Sequence, residues 1–312
     1  MSIPPLPDSS TSSATRPPSA AEPSPSSVSC SALAARLRAA GCVFAEEEAQ
    51  LMISSAGTAA ELAAMAERRA EGLPLEHVLG WAEFCGLRIA VEPGVFVPRR
   101  RTEFLVRQAL DVTRPGSVVV DLCCGSGALG AALAAAVADV ARAGPAHRES
   151  HGLVELHAAD IDPAAVRCAR RNVAAAHGRV HEGDLCAALP PELRGHIDVL
   201  LANVPYVPTD SMSLLPPEAR DHEPRTALDG GPDGLDVLRR VAAQSRQWLA
   251  PGGHVLTETS EPQVAAATGV LERCGLSART AHCEESGAAV VIGAKGTSGV
   301  QSGGRASEGS GR

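Results

Sequence analysis

Three strand-like runs that each end in an acid, and a fourth that ends in an amide, constrain this chain more than any other feature. Val118-Val119-Val120 leads into Asp121, residues 153–159 into Asp160, Val180 to Glu182 into Gly183-Asp184, and Ile197 to Ala202 into Asn203. Between them lie stretches with helical spacing, from Ala128 and from Ala164 to His177. Strands that alternate with helices specify parallel strands joined by crossovers, and therefore a doubly wound α/β sheet. Further pieces extend the pattern: helices over 234–249 and 261–274, and strands over 254–259 and 288–292. In open sheets of this kind ligands bind just beyond the carboxyl ends of the strands. The four polar strand ends are therefore candidate site residues.

Composition narrows the function. A hydrophobic share of 45% in 312 residues is ample for a core, and with 2% aromatics that core is built from Ala, Val and Leu. A formal net charge of −8 argues against a general nucleic-acid-binding face, which needs a basic footprint. The nine cysteines are scattered and include no CxxC pair, so neither a zinc site nor a disulfide framework is expected. No uncharged apolar run reaches membrane-spanning length, and the N-terminus lacks a signal-peptide pattern, so a cytoplasmic protein is expected.

The predicted organisation has five parts. Residues 1–29 form a Ser/Pro-rich tail and residues 295–312 a Gly/Ser tail, both expected to be disordered. Residues 30–81 read as a small helical domain. Leu33 and Leu37 share one helix face, Ala49, Met52 and Ile53 another, and Thr58 with Glu61 forms a capping box for a third helix. Residues 82–98 read as a β-hairpin linker, with Phe84 to Val91 as one strand, Glu92-Pro93-Gly94 as its turn and Val95-Phe96-Val97 as the second strand. Residues 99–294 form the main domain.

The loop Gly125-Ser126-Gly127-Ala128-Leu129-Gly130 fits a dinucleotide-binding fingerprint, which calls for an acid about 20 residues further on. The nearest acid at a strand end is Asp160, 30 positions past Gly130. Asp121, just before the loop, would repel a pyrophosphate but suits a cation. S-adenosylmethionine carries an amino group and a sulfonium, a ribose that Asp160 can bind and an adenine within reach of Asp184. The acids therefore favour S-adenosylmethionine over NAD. At the fourth strand end, Asn203-Val204-Pro205-Tyr206 supplies what methylation of an amide or amino nitrogen needs. The Asn203 side-chain oxygen and the Val204 carbonyl accept the two N–H hydrogens, and Tyr206, the single tyrosine, packs over the planar group.

Taken in order, these motifs resemble the class I S-adenosylmethionine-dependent protein glutamine N5-methyltransferases that modify peptide-chain release factors. The resemblance runs from about Glu71 to Ile292. It includes Leu75 to Gly80, Glu83 to Val91, Val97-Pro98-Arg99 with Thr102-Glu103, Asp121 to Gly127, Asp160, Asn172 and Asp184. It continues through Asn203 to Tyr206, Glu223 to Leu228, Gly231 to Leu235, and Glu258 with Gln263. It implies a seven-stranded, mainly parallel sheet, a helical N-terminal part that recognises the protein substrate, and a loop that holds the glutamine amide. By this resemblance Cys123, Cys124, Gly125, Ser126, Gly127, Ile161 and Leu185 join Asp121, Asp160, Asp184 and Asn203 around the cofactor. Arg99, Thr102 and Glu103 join Asn203 and Tyr206 around the substrate. A monomer with a release-factor partner and no stable nucleic-acid binding is expected.

Three departures stand out. Val204 replaces the first proline of the Asn-Pro-Pro-Tyr loop, Cys123-Cys124 replaces a Gly-Thr pair, and Arg100-Arg101 replaces a proline and an acid. Two other chemistries share some of these features. Methyltransferases of nucleobase exocyclic amines use a related Asn/Asp-Pro-Pro-aromatic loop, and NAD-dependent oxidoreductases use the glycine loop.

Overall fold

The computed structural model describes residues 29–143 and 154–297. The expected tails lie almost wholly outside the described residues. The chain divides into two compact units, the first ending at Ala70 and the second starting at Glu71.

In the first unit, three helices bury one face each: α1 (Cys30–Ala39), α2 (Ala45–Ser55) and α3 (Ala59–Ala70). Leu33, Leu37, Ala49, Met52, Leu62 and Met65 form its interior. The capping box is present in modified form. Thr58 Oγ1 accepts from Glu61 N at 3.1 Å, while the Glu61 carboxylate accepts from Gly57 N rather than from the cap residue's own amide. A buried ion pair, Arg69 Nε to Glu48 Oε2 at 2.6 Å, joins α3 to α2.

The second unit opens with a short helix, α4 (Leu75–Leu79), and a hairpin of β1 (Trp81–Phe84) and β2 (Leu87–Ala90). This corrects the hairpin read from sequence. The turn is Cys85-Gly86, both with positive φ (49° and 74°), and Val95 to Val97 is irregular. Two positive-φ residues in a two-residue loop match the right-handed twist of the flanking strands. The three-residue step from Phe84 to Leu87 breaks a period of two, and marks that turn.

Then follow α5 (Glu103–Leu110), β3 (Val118–Leu122), α6 (Ala128–Ala143), β4 (Glu155–Asp160), α7 (Pro163–Asn172), β5 (Arg179–Glu182), β6 (Ile197–Ala202) and α8 (Pro217–His222). The chain continues with α9 (Asp236–Trp248), β7 (Leu249–Thr259), α10 (Val264–Arg273), β8 (Ser277–Cys283) and β9 (Ala288–Ala294). The sheet order is β5-β4-β3-β6-β7-β9-β8. Pairing is parallel from β5 to β7 and antiparallel at β9 and β8. The seven strands and doubly wound class agree with the sequence reading. Two elements had no counterpart in the residue patterns. β8 is a polar edge strand with no apolar run, and α8 is a six-residue helix behind Pro216.

Alternation within β6 shows why the sheet is covered on both sides. Val199 and Leu201 pack with α5, α6 and the hairpin, whereas Leu200 and Ala202 pack with α9 and α10. Strand order reverses between β3 and β6, which places the crevice at the carboxyl ends of those two strands. Among the described residues no helix is long and apolar enough to cross a membrane.

Candidate active site

A cavity of about 730 Å³ opens at that crevice. One end is lined by the loops after β3, β4 and β5, and the other by the loop after β6, residues 94–102 and the segment around α8. Hereafter these are the donor end and the acceptor end.

At the donor end, the loop after β3 turns on residues in the left-handed region: Cys123 (φ 53°), Gly125 (φ 53°) and Gly127 (φ 75°). Gly127 also packs against α7, where an added Cβ would sit 3.1 Å from Ala169 Cβ. Asp160 fixes this loop from β4. Its Oδ2 accepts from Gly125 N at 2.8 Å and its Oδ1 from Asp162 N at 2.9 Å. Asp162 caps α7, accepting from Ala164 N. Burial, partly offset by these amide bonds, holds the Asp160 carboxyl above the usual carboxylate range. Asn172 ties the loop to the hairpin, donating to Ser126 O at 2.7 Å and to Ala90 O at 2.9 Å, and accepting from Ala90 N.

Cys123, Cys124, Gly125, Ser126, Asp160, Ile161, Asp184 and Leu185 all line the cavity, as does Asp162. Gly127 supports the loop from behind, since it is absent from that wall. Asp121 is also absent from the wall. It lies beneath the loop, 1% exposed, with Oδ2 accepting from Gly130 N at 2.9 Å at the start of α6. Burial pushes its carboxyl up to about 8, and the Asp160 charge adds to the rise. Asp184 forms an ion pair with Arg240 of α9 at the rim. Burial and three nearby carboxylates (Asp160, Asp121 and Asp184) raise the Cys123 thiol far above the ordinary range, so it stays protonated.

At the acceptor end, the loop after β6 is held from behind by glycine and glutamine. An added Cβ at Gly230 would stand 2.6 Å from Pro205 O, so only glycine allows that approach. Gln263 Nε2 donates to Tyr206 O and to Asp233 O, each at 2.9 Å. Asn203, Val204, Pro205 and Tyr206 all line the cavity. Asn203 Oδ1 is buried and has no hydrogen-bond partner among the described residues. Polar groups buried without a partner are rare, and this one belongs to a residue of the cavity wall.

The substrate-side residues divide. Arg99 and Thr102 line the cavity, whereas Glu103 turns to the hairpin and accepts from Cys85 N at 2.9 Å. Arg99 pairs with the buried Glu223 at 2.5 Å, and Glu223 also accepts from Val97 N. Burial raises the Glu223 carboxyl despite the guanidinium. Arg101 lines the cavity as well, donating to the Tyr206 hydroxyl and pairing with Glu258 at 2.9 Å.

Glu258, Glu223 and Arg101 were not singled out as site residues from sequence. The signal for Glu258 was present: like Asp121 and Asp160, it is an acid at the carboxyl end of a core strand. Leu215, Pro216, Glu218 and Ala219, which also line the acceptor end, carried no motif.

Residues 86–214 match the methyltransferase small domain family. The chain is 36% identical over 220 residues to a release factor glutamine methyltransferase of Geobacter sulfurreducens, covering 69% of this chain and 72% of that protein. The chain belongs to the release factor glutamine methyltransferase family. The family's members are S-adenosylmethionine-dependent methyltransferases. The Streptomyces coelicolor member is 39% identical over 200 residues, covering 63% of this chain and 66% of its own length. The chain is also 34% identical over 215 residues to the 4-amino-L-phenylalanine/4-methylamino-L-phenylalanine methyltransferase of Streptomyces pristinaespiralis, covering 67% and 68%. It thus spans about two thirds of the length of these relatives. For this methyltransferase the donor end fits its cofactor. The loop turns at Cys123 and Gly125 line the cavity, as do the carboxyl-bearing Asp160 and Asp184.

Proposed function

We propose that the protein transfers a methyl group from S-adenosylmethionine to the side-chain amide nitrogen (N5) of a glutamine in a protein, a peptide-chain release factor. The observation that carries this reading is the buried, unpartnered Asn203 Oδ1 at the acceptor end. An amide nitrogen brings two N–H donors and a delocalised lone pair. Asn203 Oδ1 accepts one hydrogen and the Val204 carbonyl the other, which turns the lone pair towards the donor end. Tyr206 covers the flat amide, and the apolar Val204 and Pro205 keep water away. When bound, S-adenosylmethionine supplies the electrophilic methyl carbon. No strong base is required, because the nitrogen becomes acidic only after transfer and then loses its proton to solvent as the product leaves.

In this reading Asp160 takes the ribose hydroxyls and Asp184 the adenine side. Asp121 acts on the donor's cationic amino group from beneath the loop, and Arg99 and Thr102 line the acceptor's path. The helical first unit carries protein recognition. Its exposed Val43 and Phe44, 84% and 66% accessible, suit an apolar contact with a partner. The protein acts as a cytoplasmic monomer without stable nucleic-acid binding.

The kinship to an arylamine methyltransferase favours one second reading, an aniline nitrogen, which is also flat with a delocalised lone pair. Incubation with isotopically labelled S-adenosylmethionine, a purified release factor and 4-amino-L-phenylalanine in parallel, followed by mass spectrometry, separates the two. Label on a release-factor glutamine is the expected result, and label on the free amino acid alone overturns the proposal.

A further inference from the structure

The acceptor end contains a polar ring of which the reaction as described uses only Tyr206. Glu258, at the carboxyl end of β7, is 2% exposed. Its Oε1 receives both the Tyr206 hydroxyl at 3.1 Å and Arg101 Nε at 2.9 Å, while Oε2 is buried with no partner among the described residues. Arg101 closes the ring by donating to the same Tyr206 hydroxyl, and its guanidinium carbon lies 5.7 Å from the Tyr206 ring centre. The phenol therefore accepts from one ring member and donates to the other, which fixes its hydroxyl rotor as well as its ring. At its other end, Tyr206 is held through its carbonyl by Gln263.

We propose that Arg101 is a positioning residue for methyl transfer: paired with Glu258, it locks Tyr206 in the orientation that selects a flat nitrogen-bearing acceptor. The inference rests on the reading of Tyr206 as a wall of the acceptor site. Charge explains why the lock needs a cation at this position. A carboxylate as buried as Glu258 is tolerated only with a partner, and Arg101 is the cation paired with it. An acid at position 101, as in the resembled pattern, would bring a second carboxylate to the same phenol and could not close the ring. A lysine would supply charge at one point, whereas the guanidinium fork reaches the carboxylate and the phenol at once. The arginine at 101 thus replaces one way of holding the acceptor wall with another.

Because Tyr206 is the single tyrosine, protein grown with tyrosine labelled with ¹³C at Cζ gives one resonance, which reports the hydrogen bonding of this hydroxyl without substrate. Arg101→Ala is expected to move that resonance. It is also expected to lower kcat on a peptide spanning the modified release-factor glutamine by about tenfold or more, since one tenfold step corresponds to about 1.4 kcal/mol of lost transition-state stabilisation. S-adenosylmethionine affinity, measured by calorimetry, should stay within about twofold, as expected for a loss confined to the acceptor end. Arg101→Lys, a milder change that guards against misfolding, should shift the resonance in the same direction and lower kcat less. In a double-mutant cycle with Glu258→Gln, the effects should be non-additive, because the two side chains act as one unit. A Tyr206 resonance unmoved in both Arg101 variants, or wild-type kcat in both, overturns the proposal. If the wild-type protein does not methylate the peptide, the glutamine reading fails, while the resonance still decides whether Arg101 fixes Tyr206.

Discussion

At the donor end of the cavity, the bonds of the two buried acids join residues fairly close in sequence, Asp160 to Asp162, Asp121 to Gly130 and Asp160 to Gly125 over 35 positions, while Asn172 reaches Ser126 over 46 and Ala90 over 82. At the acceptor end they span the chain, from Tyr206 to Glu258 over 52 positions, Arg101 to Tyr206 over 105 and Arg99 to Glu223 over 124. The turn of the donor loop is thus set by local chemistry, in which glycines and short acids bond backbone in or next to the loop, with Asn172 as its long-range tie to the hairpin. The acceptor end exists only once distant elements have packed. One consequence is that substitutions at the acceptor end should alter catalysis without touching donor affinity. The largest effect is expected at Asn203. Asn203→Ala should lower the single-turnover rate of methyl transfer by about 10²–10³-fold, the usual cost of removing one preorganised polar contact to the reacting group. Donor affinity by calorimetry should remain within about twofold of wild type. A parallel loss of donor affinity would show that the two ends are not separable.

That contrast also explains what could be read from the sequence. Strands β3 to β6 and the glycine loop were legible because each is a contiguous pattern with its own physical signature. Asn203 was legible because it closes an apolar run. The hairpin turn was misplaced because Cys85 is an unusual residue for a left-handed position, although its neighbour Gly86 is a common one. β8 was missed because its burial alternates too weakly to leave an apolar pattern, and its pairing with β9 decides its structure instead. The Arg101–Tyr206–Glu258 ring had no sequence signature at all, since its members are neither adjacent nor periodic. The three residues were each noticed, for different reasons, but only folding shows that they meet.

Asp121 allows a sharper test of the donor end. It does not face the cavity, yet it lies directly under the loop that does. Its carboxyl, at about 8 in the folded protein, is raised well above its unfolded value of roughly 3.9. The folded protein therefore holds a proton there that the unfolded chain releases. Stability from this group is full below about pH 4 and is lost as the pH rises towards 8. A cationic ligand above the loop favours the ionised carboxylate. Binding of S-adenosylmethionine at pH 6–7 should therefore release a proton and tighten as the pH approaches 8, by no more than about tenfold per unit. Calorimetry in two buffers of different ionisation enthalpy measures that release. Asp121→Asn should abolish it, while still accepting from Gly130 N. A wild-type protein that releases no proton would restrict Asp121 to supporting the loop.

The smallest expected effect concerns Cys123, where the donor end departs from the resembled pattern. The residue sits at φ 53° at the carboxyl end of β3, in a region that costs a side chain with a Cβ about 1–2 kcal/mol. Cys123→Gly removes that strain but gives the unfolded chain more freedom, worth about 0.5–1 kcal/mol in the opposite direction. The net change should be a gain of up to about 1.5 kcal/mol, or a rise in Tm of up to about 6 °C for a domain of this size. Thermal denaturation without ligand measures it. No comparable gain is available at the acceptor end, where none of Asn203 to Tyr206 has a positive φ and where Asn203 Oδ1 and Glu258 Oε2 are buried without partners among the described residues. A loss of stability in Cys123→Gly would mean that the thiol's packing against the core outweighs the backbone strain. The donor loop would then depend on its side chains as the acceptor end does.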